Sequence, residues 1–173
     1  MHDDIDALLD AETIAAKVRE LGAEITAKVP ADRELVLVPV LKGSFVFAAD
    51  LARAIDRHLV VDFFGCRSYE GTSSSGVVQT TLDLSKSIEG KHVIIVEDIV
   101  DTGLTMQYMQ ENLATRHPAA LELASLLHKP ARTKVPVDID YLGFTIDDVF
   151  VVGYGLDFDG RYRNLPYLGV MKS

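Results

Sequence analysis

Cysteine is almost missing from this chain. Cys66 is the only one in 173 residues, so no internal disulfide and no cysteine-based zinc site can form. The five histidines, His2, His58, His92, His117 and His128, show no H-E-x-x-H spacing and exclude that zinc-protease pattern. Basic residues are in deficit: 17 Lys plus Arg face 26 Asp plus Glu, and the net charge of -9 argues against a large nucleic-acid footprint. Long hydrophobic runs are also lacking. The longest, such as Leu35 to Leu41, fall far short of the ~18 residues of a membrane span. The opening MHDDIDALLD is acidic and lacks the basic n-region of a secretory signal. The expectation is a cytoplasmic, soluble protein with no membrane or nucleic-acid partner. Two phosphate signatures fail as well. No G-x-x-x-x-G-K-[ST] occurs, and Gly153-Tyr154-Gly155 is followed by Phe158 where a dinucleotide fingerprint needs its third glycine.

What the chain does have is concentrated between Val93 and Thr105, in VIIVEDIVDTGLT. The β-branched apolar run predicts a strand buried on both faces, as in a parallel sheet. Glu97, Asp98 and Asp101 stand at its C-terminal end, where open α/β sheets place ligands. Thr102-Gly103-Leu104-Thr105 then leads into Met106, Met109 and Leu113, apolar at helical spacing. A loop whose N–H groups and hydroxyls open a helix can cradle a phosphate. Two adjacent acids just before it can bind sugar hydroxyls or a metal. A helix capped by Asp101 or Thr102 is the plainer alternative. It explains one residue and leaves Glu97 and Asp98 unexplained, since ionised groups ending an apolar strand are costly unless partnered.

The rest of the chain reads as α/β in one compact domain with a sizeable core, 48% of its residues being hydrophobic. Asp10 predicts an N-cap for a helix whose apolar face is Ile14, Val18, Leu21 and Ile25, closed by Val29-Pro30-Ala31-Asp32. Leu35 to Val40 predicts a strand. Leu41 to Ser44 forms a tight loop, with Ser44 capping a helix to about Asp56. Leu59 to Cys66 completes a β-loop-α-β unit. Arg67 to Gly76 is the one long flexible segment. Val77 to Leu84 and Leu121 to Leu127 predict further strands, and the tail from Val135 alternates short strands with turns. No linker or repeat divides the chain.

Five blocks, VPVLKGSFVFAADL, RSYEGTSSSG, VEDIVDTGLT, SLLHKP and FVVGYGLDFDGRYRNLPYLGV, stand in order along nearly the whole chain. Together they resemble the purine phosphoribosyltransferases of the hypoxanthine-guanine type. The resemblance implies a parallel sheet flanked by helices (core about 30–130), with a small hood from the N-terminal segment and about 131–173. It implies transfer of a phosphoribosyl group from 5-phosphoribosyl 1-diphosphate (PRPP) to a 6-oxopurine, giving IMP or GMP and pyrophosphate. Glu97 and Asp98 would hold the ribose hydroxyls and support Mg²⁺. Asp101, Thr102, Gly103, Leu104 and Thr105 would grip the 5′-phosphate, with Asp101 also the base for the purine N7 proton. Lys42 and Gly43, after a non-proline cis bond, and Arg163 would bind pyrophosphate. Lys129 would face the 6-oxo group, Phe150 would stack on the ring, and the Val151 backbone would read its edge. Asp157 would lie beside the base as a further Mg²⁺ ligand. Ser68 and Tyr69 would begin a lid. Self-association as a dimer or tetramer is the expected assembly.

Each of these residues also has a bland reading. Lys129 and Arg163 can be solvated strand ends, Phe150 core, Asp157 a turn acid and 67–76 a surface loop. The rival functions are a xanthine-preferring or pyrimidine phosphoribosyltransferase and a regulatory RNA-binding protein on the same scaffold. The net charge and the acid at position 101 oppose the last. His128 and Gly160 near the base leave the choice among hypoxanthine, guanine and xanthine open.

Overall fold

A computed structural model describes residues 5–69 and 77–172. Its main sheet has seven strands: β2 (Leu35–Leu41), β3 (Leu59–Val61), β4 (Phe64–Tyr69), β5 (Val77–Leu82), β6 (His92–Val100), β7 (Ala120–His128) and β8 (Tyr141–Thr145). The order is β5-β4-β2-β6-β7-β8, with β3 also on β2. All pairings are parallel except β4 with β5. The central strands are apolar on both faces because helices cover both. On β6, Ile94 and Val96 join the core beneath α1 (Ala11–Lys28) and α2 (Phe45–Ala54), while Val93 and Ile95 face α3 (Leu104–Ala114). Period-two alternation sends neighbouring side chains to opposite layers. Truncating fully buried Ile95 to alanine therefore costs about 2–5 kcal/mol.

Local chemistry accounts for the helix ends, with some departures from the sequence reading. Asp10 caps α1 as expected, its carboxylate accepting from Thr13 N–H at 2.7 Å, and Ile14, Val18, Leu21 and Ile25 are the buried face. Ser44 stands at the N-cap of α2 as expected, but its side chain makes no capping bond. Its hydroxyl donates instead to the Val40 carbonyl at 2.7 Å, because Ser44 is itself helical and fully buried. That helix ends at Ala54, with Ile55 as its C-cap. Nor do Asp101 or Thr102 occupy the cap of α3: Gly103 does, in the left-handed region at φ +83°. The expected strand Leu59 to Cys66 is split, since Asp62 turns aside to accept from Ser85 and Lys86 N–H.

The chain ends build a second, three-stranded antiparallel sheet, β1 (Ile5–Leu9), β10 (Leu168–Met171) and β9 (Val151–Val152). Residues 5–9 were not legible as a strand from their acidic pattern. Phe150 falls just outside β9 rather than within a strand. Gly153-Tyr154-Gly155 turns this small sheet back onto α2, where the Tyr154 hydroxyl donates to Asp50 at 2.5 Å. Val151 of this sheet lines a cavity together with Gly43, Asp98 and Lys129.

Candidate active site

Parallel strands end together, so β2, β6 and β7 deliver Lys42, Glu97 to Asp101, and Lys129 to one edge. Glu97 is 8% exposed and accepts from Asp98 N–H at 3.2 Å, while Asp98 accepts from Ile99 N–H at 2.8 Å. Burial, and next the charge of Asp98, push the Glu97 carboxyl well above its ordinary value. Such a pair is poised for a cation or for hydroxyl donors.

After Val100 the chain makes the phosphate-type loop. Gly103 is required there twice over. Its φ is +83°, and a Cβ would stand 2.1 Å from the Val135 carbonyl oxygen. The loop is clasped from outside by Lys134 and Val135, whose N–H groups donate to the Thr102 carbonyl at 3.0 and 3.1 Å. Thr102 Oγ1 accepts from Leu104 N–H at 3.4 Å. Glu97, Asp98, Asp101, Thr102, Gly103 and Thr105 line a cavity of about 240 Å³, whereas the Leu104 side chain is 37% exposed. Leu104 is not among the residues lining this cavity.

A second cavity of about 410 Å³ adjoins the first and shares Asp98, Ile99 and Asp101 with it. Its other walls include Gly43, Lys129, Phe150, Val151, Asp157 and Arg163. Lys129 is only 7% exposed, and its N–H donates to the Val100 carbonyl at 3.0 Å, which seats it beside β6. Phe150 is 54% exposed, with Phe158 edge-on to it at 5.7 Å and 83°. A core phenylalanine would be covered. Val151 is buried. Arg163 donates to the Gly155 carbonyl at 2.6 Å and pairs with Asp157 at 2.5 Å, and Asp157 accepts from Gly160 N–H at 2.7 Å. The peptide bond Leu41–Lys42 is cis, as the resemblance implies. Lys42 lies on the rim of the site and is not among the cavity's lining residues.

Two expectations are met only in part or shifted. Ser68 and Tyr69 do not open a loop: their backbone forms the end of β4 paired with β5, and the remaining lid residues, 70–76, lie outside the described residues. Asp157 lines one cavity with Asp98, but among the described residues no three metal-ligating side chains cluster. Asp157 pairs with Arg163 instead. The cavity also recruits Arg132, Ile99 and Leu156, which the sequence reading missed. For Arg132 a signal existed, a second cation three residues beyond Lys129; Ile99 and Leu156 look like any core residue.

A larger cavity of about 590 Å³ opens at the opposite ends of β2 and β3. Its Arg57 is committed to structure, donating to the carbonyls of Val29, Pro30 and Arg33. None of the candidate site residues lines it.

Comparison with known proteins agrees with this geometry. The phosphoribosyl transferase domain family matches residues 4–159. The hypoxanthine-guanine phosphoribosyltransferase of Staphylococcus epidermidis is 49% identical, over 100% of this chain and 97% of its own. That of Mycobacterium avium is 48% identical, over 95% of this chain and 84% of its own. A crystal structure of a Staphylococcus aureus hypoxanthine phosphoribosyltransferase superposes with a TM-score of 0.95 at 46% identity, covering 99% of this chain and 94% of the other. The chain belongs to the phosphoribosyltransferase family, among its hypoxanthine-guanine members.

Proposed function

We propose that this enzyme transfers the 5-phosphoribosyl group of PRPP to a 6-oxopurine, hypoxanthine or guanine, releasing pyrophosphate and giving IMP or GMP, a step of purine salvage. The observation that carries the reading is the pair of joined cavities, one lined by the loop 101–105 and one by Lys129 and Phe150, with Asp98 and Asp101 shared between them. A sugar bridging the two places its anomeric carbon beside those carboxylates.

The chemistry follows from charge. The C–O bond to pyrophosphate breaks as the base nitrogen bonds to the anomeric carbon, so positive charge develops on the ribose. Glu97 and Asp98 face that charge and take the ribose hydroxyls, while the loop 101–105 holds the 5′-phosphate; this is preorganisation and positioning, with no covalent nucleophile. Asp101 accepts the N7 proton, which enriches the ring nitrogens in electron density as the new bond forms. Lys129 donates to the 6-oxo group, Phe150 stacks on the ring, and the Val151 backbone reads its edge. Lys42, Gly43 and Arg163 receive the pyrophosphate, the guanidinium fork suiting its oxygens. Ser68 and Tyr69 carry the lid that excludes water.

The donor set fits Mg²⁺. This ion takes oxygen ligands, keeps several waters and is commonly held by one or two carboxylates plus substrate phosphates, so it needs no three-residue cage. The buried Glu97-Asp98 pair, with the Glu97 carboxyl pushed up by burial and by its neighbour, is a site that a cation relieves. When bound, Mg²⁺ neutralises charge on the departing pyrophosphate. Asp157 would be a further ligand if Arg163, now paired with it, turned to the pyrophosphate. A cytoplasmic dimer or tetramer completes the proposal, supported by the lone Cys66 and by the exposed Phe45 and Phe63.

The test follows pyrophosphate release from PRPP with hypoxanthine, with Mg²⁺ and with excess chelator. Release with the metal and none with chelator is expected. Metal-independent turnover at saturating PRPP contradicts the roles given to Glu97, Asp98 and Asp157.

A further inference from the structure

We infer that Arg132 is a positioning residue for Asp101, presented to it by the turn that follows Lys129. The inference rests on the reading of Asp101 as the base in the proposed reaction.

Arg132 Nε lies 2.9 Å from Asp101 Oδ1. Its next carboxylate, Asp148 Oδ1, is 3.7 Å from Nη1, so the shorter attraction goes to Asp101. The two contacts also differ in what they leave free. Asp101 Oδ1 is buried and accepts no aligned hydrogen bond among the described residues. The contact with Arg132 is thus ionic and off the line of the N–H. It anchors the carboxylate at its buried oxygen, while the Asp101 side chain as a whole stays 37% exposed towards the cavity where the purine would enter.

The backbone makes this placement firm. Pro130 opens a single 3₁₀ turn, Pro130–Arg132, at a position where its fixed φ suits the geometry. Arg132 N–H donates to the Lys129 carbonyl at 3.2 Å, and Thr133 N–H to the Pro130 carbonyl at 3.2 Å. Lys134 N–H then donates to the Thr102 carbonyl at 3.0 Å, beside Asp101 itself. The turn is therefore fastened at one end to the lysine that reads the base and at the other to the loop that holds the acid. Arg132 spans the two. Asp148 is the seat to which the guanidinium can pivot, and it already stands 3.9 Å from Lys129 Nζ. The Arg132 side chain is 47% exposed, so replacing it leaves the core untouched.

The experiment is a double-mutant cycle on forward turnover with hypoxanthine and PRPP, using wild type, Arg132→Gln, Asp101→Asn and the double variant, with Arg132→Lys as the conservative control. A misplaced base can cost about 10²-fold, so Arg132→Gln should lower kcat on that scale while the KM for PRPP stays near the wild-type value. Arg132→Lys should recover most of the loss. In the Asp101→Asn background the Arg132→Gln penalty should disappear, because residues acting as a unit are not additive. A penalty undiminished in that background places Arg132 on some other group and overturns the inference alone. So does a raised KM for PRPP at unchanged kcat. An Asp101→Asn enzyme as fast as wild type instead removes the reading of the base, and this inference with it.

Discussion

Gly43 and Asp98 occupy one space: a Cβ built on Gly43 would stand 1.6 Å from Asp98 Oδ2. The two residues end adjacent parallel strands, so the turn after β2 is pressed directly against the acidic pair of β6. Gly155 approaches Gly43 in the same way: a Cβ there would meet the Gly43 carbonyl oxygen at 2.1 Å. Asp98 and Gly155 thus both close on the turn at Gly43.

Gly43→Ala should therefore damage the site more than the fold. The new methyl must displace either the Asp98 carboxylate or the turn, and a shift of ~1 Å in a reacting constellation can cost about 10²-fold. The expected result is a loss of kcat/KM for PRPP with a nearly unchanged melting temperature. Wild-type kinetics in this variant would show that the contact can relax without consequence.

Asp101→Asn keeps the size of the side chain and removes its capacity to accept a proton as a base. The forward rate should fall by ~10²–10⁴ while PRPP still binds. Rapid-quench measurement of the chemical step, with a separate titration of PRPP, distinguishes the two effects. A fully active variant would take Asp101 out of the mechanism.

Glu97 should cost stability in the absence of metal. Burial first and Asp98 second push its carboxyl well above the ordinary 4.5, so above that pH the folded protein holds a proton the unfolded chain has released. The folded state then binds more protons, and its stability falls as pH rises from 4.5 towards the raised folded value, beyond which the full penalty remains. Glu97→Gln lacks this term. With chelator present, the melting temperature of the variant minus that of wild type should grow as pH rises through this window and shrink below it. A difference independent of pH would contradict the burial of an acid at this position.

The fold and much of the site were legible because they rest on local signals. The Val93 to Val100 run, the acids that end it and the Thr-Gly turn each state a structure in their own residue types. The face Ile14, Val18, Leu21 and Ile25 is buried as its spacing requires. What was illegible depends on partners distant in sequence. Ile5–Leu9 becomes a strand only because Leu168–Met171 returns beside it. Ser44 has the residue type of a cap, yet the Val40 carbonyl takes its hydroxyl. Asp157 looks available as a ligand until Arg163 is seen to hold it. The clasp of Lys134 and Val135 on Thr102 uses backbone alone, which no pattern of side chains announces.

Base selection is where the proposal is most exposed. Lys129 is buried at the wall of the cavity of about 410 Å³, and its ammonium offers donors only. A 6-oxo group completes a charge-assisted hydrogen bond there, whereas the amino group of adenine brings a second donor. Sites of this kind discriminate by ~10⁴–10⁵. The deciding measurement is kcat/KM for hypoxanthine over that for adenine, with PRPP and Mg²⁺, in wild type and in Lys129→Gln. Wild type should turn over hypoxanthine and leave adenine essentially untouched, and the variant should narrow the gap, because an amide can turn its oxygen to an amino group. Comparable use of adenine by wild type would contradict the assignment.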